Sequence, residues 1–368
     1  MNYLIKNPFI YLVAGLVSSL PLNGAYSVLS SIQDQLTALQ EKVDQMEQQA
    51  VLGKKGAKLA GGLPNLDHPI GVMLGLEVVY FKTQLGGTAF SYANSSAYTD
   101  GLPPIEASLQ ELNFDMDFGI GACIERQFSE QDCALKLEYL HYRTTGSQSR
   151  SSNIADSQVP LKGINVIGEG VNSAKSIGKV EWNDLALNFH KSFFITDHFL
   201  MQPTVGIKSS WIMIKQWSQY TGGSFLSVNT DHVYDKSQFF GIGPDLGGKA
   251  EWFFGKNFSL SGIMDVGLEY GFYRVKYKEE QSNLSDHTFV LKQTKHQFSP
   301  VFDFAIDINY GFFANSNKVY GKVSLGYEAI FFLKQNQSLQ LFSEVNRIQN
   351  ISEDLSFHGI TGKLGFYF

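Results

Sequence analysis

The sequence predicts a closed antiparallel transmembrane β-barrel of about ten strands, with twelve as the alternative count, and a short N-terminal helix ahead of it. Three observations carry that fold class. Among 368 residues, 35 are Gly and 14 % are aromatic, while only 17 % are charged, against a usual value of about 25 %. The mean hydropathy is −0.10, too polar for a bundle of membrane helices, which needs runs of about 20 apolar residues. Several stretches instead alternate apolar and polar residues over ten or more positions. Soluble strands average about 5–6 residues, whereas a tilted strand crossing a bilayer needs about 9–11.

The elements follow in chain order. Lys6, an apolar run from Phe9 to Leu22 and the small pair Gly24-Ala25 read as a signal peptide over residues 1–25, cut after Ala25. A single membrane anchor is the alternative, but the run is shorter than a span requires. Over residues 26–52, Leu29, Ile32, Leu36, Leu39, Val43, Met46 and Ala50 recur at alternating steps of three and four. That is a heptad seam on a periplasmic helix, which either lies against the barrel base or joins copies into a homo-oligomer. The Gly- and Lys-rich stretch 53–69 reads as a linker.

From residue 70 to 368 the period is two. Strands are expected near 70–83, 109–126, 132–145, 178–192, 198–215, 238–254, 257–277, 291–313, 318–333 and 356–368. Connections alternate between long (84–108, 146–177, 216–237, 278–290, 334–355) and short, as in outer-membrane barrels with short periplasmic turns. The stretch 334–355 leaves room for two further strands. An open sheet edge in hydrocarbon strands its N–H and C=O groups, so the sheet must close. Pro103, Pro104 and Pro160 fall in loops, whereas Pro203, Pro244 and Pro300 fall in or near strands and imply bulges or ladder breaks. Trp182, Trp211, Trp217, Trp252, Tyr139, Tyr310 and Tyr367 are expected in interfacial girdles. Leu364, Phe366 and the terminal Phe368 have the spacing of the signal that barrels present to the assembly machinery.

Charge on the lipid face costs about 2–4 kcal/mol at midplane, so charged residues within the strands must line the lumen. By parity these are Glu77, Asp115, Asp117, Glu138, Asp184, Asp265, Glu269, Asp303, Asp307 and Glu328, against Lys136, Lys208, Lys322 and Lys363. Cys123 and Cys133 flank the turn at 127–131, and a hairpin centred on Phe128 would set them opposite each other in an oxidising compartment as a disulfide; two buried thiols are the alternative.

A net charge of −6 gives no footprint for nucleic acid. The eight His are dispersed and no CxxC occurs, so neither a metal nor another cofactor is expected. His141 with Ser147 and Asn153 is the nearest approach to a hydrolytic set, and Ser-rich loops supply such sets by chance. No enzyme activity is expected.

The segments Phe199–Ile212, Gly241–Gly248, Glu251–Leu260, Gly267–Gly271, Leu325–Gln337 and Leu355–Ile360 resemble strand patterns of the Legionella-type major outer membrane protein family. The resemblance covers roughly residues 70–368, is strongest after residue 180, and implies a β-barrel porin with no catalytic residues to carry over. Two functions follow as expectations. One is passive, weakly cation-preferring diffusion of small hydrophilic solutes, from the carboxylate excess. The other is a largely closed barrel displaying its long loops as a structural or surface-interaction protein. The expected location is the bacterial outer membrane, in contact with its lipid.

Overall fold

The computed structural model describes residues 71–94, 107–128, 132–153, 156–163, 166, 169–254, 257–282, 288–314, 319–342 and 347–368. The expected signal peptide, the heptad helix with its Leu29-to-Ala50 seam, and the linker lie outside the described residues.

The first strands are β1 (Val72–Leu85), β2 (Ser91–Asn94), β3 (Ala107–Gln110), β4 (Met116–Phe128), β5 (Cys133–Ser151), β6 (Gln158–Pro160) and β7 (Ser173–Lys191). They are followed by β8 (Phe193–Thr196), β9 (Phe199–Thr221), β10 (Thr230–Phe253), β11 (Phe258–Gln281), β12 (Thr288–Ala314), β13 (Val319–Phe342) and β14 (Arg347–Tyr367). Ten of these form one antiparallel ring in the order β1, β4, β5, β7, β9, β10, β11, β12, β13, β14, which β14 closes on β1. The small strands β3, β2 and β6 form a separate sheet in the outer connections, and β8 extends one edge of β9.

The outward face explains the alternation. Leu76, Phe118, Ile306 and Leu325 are 63–70 % exposed, a wasteful arrangement in water that becomes favourable against lipid chains. No helix among the described residues is long and apolar enough to cross a membrane; the chain crosses with strands.

Several expected bounds move. Strands β5, β7, β9, β10, β13 and β14 run well into the stretches expected as long loops. At these outer ends both faces carry polar residues, as in Thr144 to Ser151, so no apolar period marks them. The stretch 334–355 completes the β13–β14 hairpin, with Gln340 opposite Gln349. The barrel therefore has ten strands, not twelve.

The three strand prolines each mark a break in pairing. Pro203 lies one residue past the end of the β7–β9 ladder at His190↔Thr204. Pro244 falls in the gap of the β10–β11 ladder between Ile242 and Asp245. Pro300 adjoins the last β12–β13 pair, Val301↔Phe332. A residue with no N–H has no bond to contribute there. Beyond that last pair β13 shifts register between Phe332 and Asn336, with Lys334 at a φ of 55°. Its outer half then leans inward and touches β10 and β11.

The cysteines do not form a disulfide. The hairpin pairs Phe128 with Cys133 and Cys123 with Glu138, so its centre lies near residue 130, not at Phe128. Cys123 is five pairs up the ladder from Cys133, about 17 Å along the strand, far beyond disulfide reach.

Candidate functional site

Inside the ring, side chains are sorted by height. At the short-turn, periplasmic end lies a polar cavity of about 290 Å³. Its mouth includes Gln127, Asp132 and Ser192, and its far end reaches Trp182 and Ile330. Lysines hold the carboxylates of the wall. Lys363 Nζ stands 3.4 Å from Glu77, 3.4 Å from Glu328 and 3.8 Å from Asp307. Lys322 and Lys249 both reach Glu251, at 2.7 Å and 2.6 Å, and Glu251 also accepts a bond from Ser259 Oγ at 2.5 Å. Lys208 lies 3.4 Å from Asp184, and Lys136 pairs with Glu138. Asp265 and Asp303 are direct cross-strand neighbours, and no ion pair involves either among the described residues. The lysine-paired carboxylates persist because counter-charges and hydrogen bonds hold them in the wall.

Above this cavity the interior turns aromatic. Trp182 of β7 stacks on Phe357 of β14, with ring centroids 4.8 Å apart and planes 6° from parallel. Phe332 of β13 meets the Trp182 ring edge-on at 5.5 Å, and Tyr142 of β5 meets Phe357 at 5.2 Å. Trp182 and Phe332 come from diametrically opposite strands of the ten, so their contact spans the lumen. Both are essentially inaccessible to solvent, as are Phe81 and Tyr273. Gln335, in the displaced part of β13, accepts hydrogen bonds from Tyr273 Oη and Ser299 Oγ, each at 3.0 Å. It ties β13 to β11 and β12 where backbone pairing has stopped.

The outer end is capped as well. Tyr220 Oη donates to the Phe90 carbonyl at 2.7 Å, and Gln216 Nε2 to the Thr88 carbonyl at 2.9 Å. Lys162 bridges Gln216 Oε1 and Asp235 Oδ2, both at 2.7 Å. Phe90, Leu112, Phe114, Val166 and Leu226 are buried beneath the loops, continuous with the aromatic layer.

A family model described as Legionella pneumophila major outer membrane protein precursor matches residues 68–368. The chain belongs to this major outer membrane protein family. Comparison with curated proteins found no match. Among solved structures, the outer membrane protease OmpT from Escherichia coli is similar at TM-score 0.43 and 11 % identity, over 83 % of this chain and 99 % of that one. The translocator domain of the autotransporter NalP from Neisseria meningitidis gives 0.30 and 11 %, over 92 % and 98 %. The P. putida toluene transporter TodX gives 0.29 and 8 %, over 85 % and 92 %. These likenesses are loose, and the barrel rests on its own strand registers.

In this family member the expected lumen residues separate into groups. Glu77, Glu138, Asp184, Asp265, Asp303, Asp307, Glu328, Lys136, Lys208, Lys322 and Lys363 line the cavity. Asp117 points inward higher up and accepts a bond from Thr144 Oγ1 at 2.6 Å. Glu269 is fully buried and accepts one from Ser210 Oγ at 2.7 Å. Asp115 is a correction: it precedes β4 and is exposed, because the strand starts at Met116 and parity has no wall to act on before it. Trp182 is another, since it is buried inside the barrel against Phe332 and Phe357 and does not sit in a girdle. Tyr367 shares the inward parity of Lys363 and lines the cavity. Trp211, Trp252, Tyr139 and Tyr310 are exposed outward. Leu364, Phe366 and Phe368 share the outward parity of Ile360, and the Phe368 amide bonds to the Val72 carbonyl at 2.9 Å. His141 bonds through Nδ1 to Asn183 Oδ1 at 2.8 Å on the outward wall. Among the described residues no group of His, Cys, Asp or Glu is placed to hold a metal.

Residues not anticipated include Asp245, Lys249 and Glu251, which line the cavity from β10. The run Gly241 to Gly248, with Pro244 in it, hides the period of that strand.

Proposed function

We propose that this family member is a porin-type barrel, closed at rest, whose path for small hydrophilic solutes prefers cations. The reading is carried by the excess of carboxylates in the cavity. Glu77, Glu125, Glu138, Asp184, Asp245, Glu251, Asp265, Asp303, Asp307 and Glu328 face Lys136, Lys208, Lys249, Lys322 and Lys363. A pore wall of net negative charge favours cation entry. The Asp265–Asp303 pair, with no lysine in ion-pair range among the described residues, aims its field into the cavity. Flow requires the rings of Trp182, Phe332 and Phe357 to part, so currents should be small and intermittent. The proposal involves no catalysis.

Reversal potentials across a planar bilayer in an asymmetric KCl gradient test this. Wild type should reverse on the cation side, and Asp265→Asn/Asp303→Asn should reverse closer to zero. Anion selectivity would overturn the reading. The seal and the outer cap together favour one other reading, a permanently closed barrel acting in structure or at the surface. Folded, heat-modifiable protein that never conducts would select it.

A further inference from the structure

Just above the lipid-facing belt, the outer wall carries a row of lysines in unbroken cross-strand register. Lys179 on β7 pairs with Lys215 on β9, Lys215 with Lys236 on β10, Lys236 with Lys276 on β11, and Lys276 with Lys292 on β12. Like charges set directly opposite each other repel and destabilise a sheet. A run of five on adjacent strands therefore implies anions that neutralise it in place.

Among the described residues too few carboxylates stand beside the row to neutralise it, and Glu280, which lines the same groove, is paired with Lys278. Lys179 is bonded to Glu181 at 2.9 Å, but among the described residues Lys215, Lys236, Lys276 and Lys292 have no ion-pair partner. Burial, and then the charges of Lys215 and Lys276, pull the Lys236 amine below its usual range. Lys179, Lys215, Lys236, Lys276 and Lys278 line a shallow outward groove of about 520 Å³, beside the rings of Trp217 and Tyr234.

Height decides the partner. Four residues toward the membrane on the same strands, Trp211, Phe240 and Phe272 form an exterior aromatic band with ring centroids 5.3 Å and 5.7 Å apart. Four residues of a tilted strand rise roughly 10 Å, and aromatic rings mark the hydrocarbon boundary. The lysines thus stand at the height of the outer leaflet's headgroups, and their long stems reach down to it.

We infer that the row Lys179–Lys215–Lys236–Lys276–Lys292 is a binding surface for the phosphorylated sugar headgroups of outer-leaflet glycolipid. The amines take the phosphates, and the Trp217 and Tyr234 rings offer a face to the sugars. The assignment needs only the barrel and its outer-membrane location, whatever passes through the lumen.

The test titrates detergent-folded full-length protein with bisphosphorylated lipid A and with dephosphorylated lipid A, counting retained glycolipid by native mass spectrometry. Wild type should retain the phosphorylated form preferentially, and added salt should weaken it. Lys215→Gln/Lys236→Gln/Lys276→Gln should weaken it about a hundredfold, at roughly fivefold per lysine near an anionic surface. Heat-modifiable migration verifies that this variant is folded. Lys334→Gln, on β13 away from the row, should bind as wild type. Equal retention of both lipid forms, or a triple variant that binds normally, would overturn the inference. So would tighter binding of soluble inorganic polyphosphate than of lipid A, which would assign the row to a soluble polyanion.

Discussion

Trp182 lies flat against Phe357, 4.8 Å between ring centroids, although β7 and β14 are four strands apart around the barrel. The contact couples opposite walls. Trp182→Ala should cost about 3–5 kcal/mol in stability, the usual range for a large buried ring. A double-mutant cycle with Phe357→Ala should return a coupling of about 0.5–1.5 kcal/mol beyond the separate losses. Urea unfolding from detergent or vesicles measures both, and strictly additive losses would show that the rings do not support each other.

Lys363 is the hub of the cavity, within 3.8 Å of Glu77, Asp307 and Glu328. Removing one member of a buried charge cluster leaves the others uncompensated, at about 3–5 kcal/mol. Lys363→Met should destabilise by that amount, and adding Glu77→Gln should restore part of it. Unfolding midpoints report the sequence of losses. A Lys363→Met barrel as stable as wild type would mean that water, not lysine, balances these carboxylates.

The β12–β13 ladder ends at Val301↔Phe332 while β12 continues to Thr288, paired only with β11. Alternate amides of residues 288–299 should then exchange with deuterium much faster than their β11-bonded neighbours. Residue-resolved hydrogen exchange reads this directly. Uniform protection on both sides of β12 would indicate that β13 pairs there in solution.

The alternation of Phe304, Ile306 and Ile308 with Asp303, Ala305 and Asp307 made the wall legible, because lipid and water on two sides impose period two. The interior was legible only in part. Trp182 has the parity of Asp184, so the same count that turned the carboxylate inward also turned the indole inward; girdle statistics pointed the other way. The inward lean of β13 arises from a register shift beside Lys334, and no local residue pattern announces where a ladder stops. The lysine row needed the registers of five strands at once, since each lysine alone reads as an ordinary solvated charge.

Asp231, at the outer rim beyond the membrane belt, is pushed up to about 8 by burial and then by the neighbouring Glu279. The unfolded carboxyl loses its proton near pH 4. Between those values the folded form holds a proton that the unfolded form lacks, so stability falls as pH rises from about 4 to about 8 and levels off above. Local opening of the β9–β10 hairpin should accordingly increase over that window. Limited proteolysis across a pH series detects it, and Asp231→Asn should flatten the dependence. An unchanged slope in that variant would assign the titration elsewhere.

In the proposed function, the aromatic rings that meet across the lumen hold this barrel closed. Single-channel recording of wild type beside Trp182→Ala/Phe357→Ala, each verified as folded, tests it most directly. Wild type should show rare, small openings, and the double variant a steady, larger conductance. A wild-type channel that is already continuously open, at the variant's conductance, would contradict it.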